Sequence, residues 1–345
     1  AIVEAGLGTR FDSDPLLGSD STLQELRARI ESEWEPGATT VSLKADARYD
    51  GVENAWRADV RDLTASFTLG ENVDVRVGRQ VQTWGTGDLV FLNDLFPKDF
   101  VSFFAGRDDE YLKAPGNAIR LTRFGKTLNV DFVWTPFFEP DVYLTGERFS
   151  FFSPPAGQNV APRPPLSAAE PQDAFSNGEF AVRLFRTIGG KELALYAYHG
   201  FFKQPVALTE TFEPAFAPLT SLGASLRRPL GPGIFNAEMS YYLSRDDRSG
   251  NDPLIPNDQL RLLAGFEWEA RPNFTVGVQY YLESTLDHRE LIRNSPYPEF
   301  EPDRNRHLLT NRLTYRAGRD KHTWSLFTFF SPSDSDFHMR PVYTY

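Results

Sequence analysis

Apolar and polar residues alternate along almost the whole chain, in segments of roughly eight to twelve residues, and little of it follows a helical period. The stretch from Thr22 to Pro36, TLQELRARIESEWEP, shows the ambiguity that has to be resolved. Its Leu, Gln, Glu, Arg and Ala are helix formers, and Leu23, Leu26, Ile30 and Trp34 fall where one helical face could hold them. Yet Leu26, Ala28, Ile30, Ser32 and Trp34 also alternate strictly with Arg27, Arg29, Glu31, Glu33 and Glu35. The same period of two recurs over 1–11, 40–50, 61–69, 73–84, 117–124, 128–135, 179–187, 192–199, 221–228, 234–244, 259–269, 274–283, 306–315, 323–330 and 337–345. That recurrence favours strands throughout and gives about sixteen of them.

The connections sort by length. Short ones, mostly Gly- or Pro-bearing, cover 36–39, 70–72, 125–127, 188–191, 229–233, 271–273 and 317–322. They alternate with long ones at 12–21, 51–60, 85–116, 136–178, 200–220, 245–258, 284–305 and 331–336. A soluble sandwich has no cause to sort its loops this way, whereas a transmembrane barrel has short periplasmic turns and long outer loops. In hydrocarbon every backbone group must pair within the protein, so only helices and closed barrels span it, and strands of about 9 to 11 residues suffice. Aromatics stand near the ends of the apolar faces (Phe11, Trp34, Tyr49, Trp134, Trp268, Tyr315), as interfacial girdles require. A soluble propeller would repeat with a per-blade signature, and none is visible. The expectation is an all-β fold: one domain over 1–345, a transmembrane antiparallel up-and-down β-barrel.

Composition narrows the function classes. No apolar run is long enough for a transmembrane helix, and no charged segment followed by an apolar one stands at Ala1, so a targeting segment is not expected within the chain. Cysteine is absent, which removes disulfides, thiol catalysis and zinc–thiolate sites and suits an exported protein. A net charge of −11 without a basic stripe argues against nucleic acid. The 29 Phe, 13 Tyr and 6 Trp are many for so polar a chain, and girdles account for them.

Two stretches carry a resemblance. Residues 339–345, MRPVYTY, look like the terminal signal of outer-membrane barrels, in which large residues alternate and the last is aromatic; this chain departs in having Pro341 where Gly is usual and Tyr345 in place of Phe. Residues 78–100, GRQVQTWGTGDLVFLNDLFPKDF, resemble a signature of porin-like Gram-negative outer-membrane proteins through Gly78, Arg79, Gln80, Trp84, Gly85, Asp88, Asp94, Pro97 and Asp99. The resemblance implies an outer-membrane location and, for some relatives, company with inner-membrane export systems.

On a strand followed by the third long connection, the signature occupies the place where general porins fold a loop inward. Segment 85–116 is also too apolar to stand in water, so it is expected inside the lumen, with Asp88, Asp94 and Asp99 facing wall arginines such as Arg76 and Arg120. The alternative is that these aspartates cap turns and pin the loop. The strand pattern puts Arg27, Arg29, Glu31, Glu33, Lys44, Asp46, Arg48, Arg76, Gln80 and Arg120 on the wetted inner wall, where mixed fixed charge favours polar solutes. Segment 136–178, with six prolines between Pro154 and Pro171, is read as an irregular outer loop. The five histidines show no ligand spacing and no Ser/His/Asp set forms, so neither an enzyme, a metal nor a cofactor is expected.

The leading expectation is a channel for passive diffusion of small solutes, set in outer-membrane lipid and lipopolysaccharide and narrowed by the third loop. A homotrimer would suit it, whereas a periplasmic partner protein would suit the alternative. The alternative is a barrel component of an envelope-spanning assembly, exporting lipid-like cargo or sheathing a periplasmic electron-transfer protein.

Overall fold

A computed structural model describes residues 1–345. Sixteen strands form one antiparallel sheet in which each strand pairs with its neighbours in sequence. The first seven are β1 (Ile2–Thr9), β2 (Ser21–Trp34), β3 (Thr39–Asp50), β4 (Ala55–Leu69), β5 (Val73–Val81), β6 (Pro115–Arg123) and β7 (Asn129–Thr135). Next come β8 (Glu179–Ile188), β9 (Lys191–Phe201), β10 (Pro218–Leu230), β11 (Gly233–Ser244) and β12 (Gln259–Arg271). The sheet ends with β13 (Phe274–Thr285), β14 (Asn305–Ala317), β15 (His322–Ser331) and β16 (Asp336–Thr344). This is the up-and-down barrel that the alternation predicts, and every alternating segment is one of its strands.

The ambiguous stretch is β2. Ala28 lies opposite Ala47 and Arg29 opposite Asp46 on β3, so the residues are held by ladder bonds on both sides rather than by a local helix. Arg27 and Arg29 are buried, whereas Leu26, Ile30 and Trp34 are each at least half exposed. The same sign holds around the wall: Leu63, Leu195, Leu222, Met239, Leu309 and Phe330 all face outward and are exposed. An apolar band of that extent has no place in water. Rings border it at both ends: Tyr315 stacks on Trp324 and Phe266 on Trp268 at one end, and Tyr49 meets Trp56 and Trp134 stacks on Phe180 at the other.

Two connections are shorter than the sequence predicts. Strand β4 starts at Ala55, not near residue 61, because a bulge shifts its register against β3: Asp62 pairs with Lys44 but Val60 pairs with Ala45. The extra residue, Arg61, turns its side chain inward while Val60 and Leu63 both stay exposed, three apart, which breaks the period of two. Residues 51–54 are therefore a tight turn, and 332–335 form another between β15 and β16. Segment 136–178 holds a small ribbon of Phe151–Ser153 with Gln158–Val160, and a helix, α2 (His288–Asn294), lies between β13 and β14.

The largest buried apolar cluster lies on the inner side of the sheet. Trp84 and Phe96, from the connection between β5 and β6, pack with Ala181, Tyr196, Tyr198, Leu219 and Tyr242 of β8 to β11. Leu92, on the same connection, is wholly buried beside Leu263 and Tyr281.

Candidate functional site

Segment 82–114 leaves β5 through residues that fit few alternatives. Gly78 has φ +128°, and a Cβ there would stand 2.1 Å from the Leu63 carbonyl oxygen, so β4 and β5 close on each other only with glycine. Gln80 is buried and donates to the Ala118 carbonyl at 3.1 Å, tying the strand's end to β6. Trp84 packs edge-on against Phe96 with ring centres 5.0 Å apart, which folds the segment back on itself. At Gly87 a Cβ would lie 2.3 Å from the Val90 oxygen, so the following turn also needs glycine. Further on, Lys98 is buried and donates from Nζ to Asp94 Oδ1 at 2.9 Å and to the Phe96 carbonyl at 2.7 Å. Asp99 caps the short helix α1 (Phe100–Ala105), accepting from Ser102 N at 2.7 Å and from its hydroxyl at 2.6 Å.

The segment is pinned to wall strands far apart in the sheet. On β11, the buried Glu238 carboxylate accepts from Thr86 N, from Gly87 N at 2.8 Å and from Asn93 Nδ2 at 2.7 Å. The Tyr242 hydroxyl donates to the Leu92 carbonyl at 2.6 Å. On β13 and β14, Gln279 bonds both the N–H and the carbonyl of Asp88, each at 2.8 Å, and Arg312 donates to the Asp88 carboxylate at 2.9 Å. The other end reaches the opposite strands. Arg107 donates to Glu25 of β2 at 2.7 Å, and Asp109 pairs with Arg340 of β16 at 3.0 Å.

Tyr111 is the centre of that second anchorage. Its ring lies 3.8 Å from the guanidinium of Arg27, 5.1 Å from that of Arg29 and 4.9 Å from that of Arg61, and its hydroxyl accepts from Arg29 and donates to Glu4 of β1 at 3.1 Å. Each cation is drawn to the electron-rich ring face. Arg61, the bulge residue, also donates to the carbonyls of Glu110 at 2.9 Å and Lys113 at 3.0 Å. Glu110 accepts from Arg29 and, at 3.2 Å, from Lys44. Burial works to raise its carboxyl, but those two cations outweigh the burial and hold it below the usual glutamate range. Burial raises the Tyr111 hydroxyl to about 12 in spite of the arginines.

The residues expected on the inner wall divide by position. Asp46 lies 2.7 Å from Arg29 and 3.6 Å from Arg27, Arg48 forms ion pairs with Asp59 at 3.3 Å and Glu25 at 3.5 Å, and Glu31 reaches Lys44 at 3.1 Å. Glu33 is exposed close to the 35–38 turn and has no ion pair. One expectation fails: Asp88, Asp94 and Asp99 do not face Arg76 and Arg120. Arg76 pairs with Asp62 on the adjacent β4, and Arg120 with Asp131 on β7 at 2.9 Å, so both arginines are neutralised by the strands next to them. Asp88 instead meets Arg312, while Asp94 and Asp99 hold the segment's own turns, as the alternative reading of these aspartates has it. Gln80 is packed between backbone groups, because its amide finds carbonyl acceptors within the sheet. Sequence reasoning missed Arg61, Tyr111, Tyr242 and Gln279. Arg61 leaves a trace in the broken alternation, whereas Tyr111 leaves none.

Between the segment and the wall remains a cavity of about 450 Å3, reaching toward the turns at 189–190 and 231–232. Trp84, Gly85, Thr86 and Asp88 line one side, Arg183, Tyr196 and Arg227 a second, and Gln279, Thr310 and Arg312 a third.

No family model matches the chain, and no curated protein matches it. Solved structures do. OmpF of Salmonella typhi, determined in complex with daunomycin, superposes with a TM-score of 0.53 at 9% identity over 99% of this chain and 95% of that one. A loop L8 deletion mutant of OmpT, an outer membrane protein of Vibrio cholerae, gives 0.50 at 10% identity over 94% and 92%. At such identities the likeness is one of fold, and it covers the whole barrel.

Proposed function

We propose that the chain is an outer-membrane channel for passive diffusion of small polar solutes, and that segment 82–114 narrows its lumen. The observation that carries this is the cavity of about 450 Å3 left beside a pinned segment on the polar face of a porin-type barrel. Apolar residues outside, aromatic rings at both borders and charge within are what a lipid-embedded wall around water requires. The inner apolar cluster also weighs against a sheath for a periplasmic protein, because Trp84, Phe96 and Leu92 already take up space that such a guest would need.

Purified protein in planar bilayers tests the reading, with stable openings as the expected result. A barrel that stays closed and copurifies with a periplasmic or inner-membrane protein would overturn it. The Glu238→Ala variant tests the role of the segment. It removes the acceptor of the Thr86, Gly87 and Asn93 donors and is expected to enlarge the conductance and its noise. An unchanged conductance would mean that the segment does not set the path's width.

A further inference from the structure

The cavity's charge is not balanced within its own wall. Asp88 is matched by Arg312, and Asp94 is held by Lys98 at 2.9 Å and by the Thr83 hydroxyl at 2.8 Å. Arg227 forms no ion pair. Lys113 donates only to Thr83 Oγ1, at 2.8 Å. Arg183 comes no closer than 3.8 Å to a carboxylate, that of Asp131, which Arg120 and Thr122 already occupy. Against these cations stand two carboxylates without ion pairs, Glu267 and Glu192, the latter on β9 opposite Arg227, so these groups leave an excess of one cation in a chain whose net charge is −11.

The cations come with flat apolar surface. The Arg183 guanidinium lies 4.2 Å from the centre of the Phe185 ring and 6.0 Å from that of Tyr196, and Tyr196 is 6.0 Å from Trp84. Trp84 is 8% exposed, and its indole N–H is buried without an acceptor. A guanidinium presents a planar fork that suits a carboxylate, and aromatic faces beside it suit a ring.

We infer that the cavity is a binding subsite for an aromatic carboxylate, held by Arg183 and Arg227 at its charged end and by Phe185, Tyr196 and Trp84 along its ring. The inference deepens the channel reading and rests on it for the solute's passage. The volume lies within the range of small-molecule sites.

Calorimetric titration of the detergent-solubilised protein with benzoate, acetate and benzyl alcohol tests it. Benzoate is expected to bind at least about tenfold more tightly than either of the others, because each lacks one half of the recognition. Arg183→Ala should weaken benzoate by about tenfold or more, and Arg183→Lys, which keeps charge without the fork, should fall between. If Arg183→Ala loses the β signal in circular dichroism, Arg227→Ala takes its place with the same expectation. Benzoate binding no tighter than acetate, or unchanged in a folded variant, overturns the inference. Potassium chloride conductance recorded on the same protein separates the two readings. Openings without benzoate preference leave the channel and remove the subsite; benzoate preference without openings leaves the subsite and removes the channel.

Discussion

Tyr111 gathers three like charges around one ring, an arrangement that holds only because other groups share the load. Asp46 stands between Arg27 and Arg29, Glu110 takes a further bond from Arg29, and two backbone carbonyls take Arg61. Tyr111→Phe keeps the ring and loses the hydroxyl's bonds to Arg29 and Glu4, so we expect a loss of about 1 kcal/mol, read from the urea midpoint of refolded protein. Tyr111→Ala also removes the ring faces from three guanidinium groups, and a larger loss of about 2–4 kcal/mol is expected, with a wider channel in bilayer recordings. Equal losses for the two variants would mean that the ring contributes nothing. Gly78 makes the other residue-scale case. A Cβ 2.1 Å from the Leu63 oxygen, on a backbone at φ +128°, has nowhere to move, because the obstacle is main chain in a paired strand. Gly78→Ala is expected to lower stability by at least about 1–3 kcal/mol, measured by the same unfolding series.

At the scale of elements, segment 82–114 is a strap fixed at both ends, and its two anchorages differ in kind. The one on β11, β13 and β14 is built largely from neutral donors meeting Glu238 and Gln279. The one on β1 to β4 depends on Glu110 staying ionised between Arg29 and Lys44. Its carboxyl titrates below the usual value, so its contribution is complete above the ordinary glutamate value of about 4.3 and is lost as pH falls through the lowered one. Conductance is therefore expected to be steady from neutral pH down to about 4 and to grow noisier below it. Glu110→Gln should show the noisier state at neutral pH. A wild-type channel equally quiet at pH 3 and pH 7 would contradict this anchorage.

The signature GRQ…WG…D…PKD reads as the folding instruction for this strap. Gly78 and Gly87 allow close approaches, Gln80 fastens the strand's end, Trp84 reverses the chain, and Asp94 with Lys98 and Asp99 closes the last turns. That much was visible as a pattern of residue types, but its wall partners were not. Arg76 and Arg120 share the inner face, but each has a carboxylate on the adjacent strand, Asp62 and Asp131, that takes it before the segment can. Arg312 is available to Asp88 because its own neighbours on the inner face, Gly277 and Phe327, offer no charge.

For the whole molecule, the outer wall decides where it is stable. Ile30 faces outward at mid-strand in β2, more than half exposed, and Glu33 lies on the other face near a turn. Ile30→Arg should cost about 2–4 kcal/mol on folding into lipid vesicles, whereas Glu33→Ala should cost little. Similar costs for the two would mean that the register is inverted. The number of strands, their register sign and the identity of the outer face all follow from the chain's alternation, because a period of two assigns every side chain to one face without reference to any distant residue. What the tertiary structure alone decided is which inner residues meet: the bulge that swings Arg61 inward, the cage around Tyr111, and the wall positions that receive the strap. Those contacts join residues as distant as Asp88 and Arg312, 224 positions apart, across a curved sheet, and no local pattern encodes a distance that only the barrel's curvature sets.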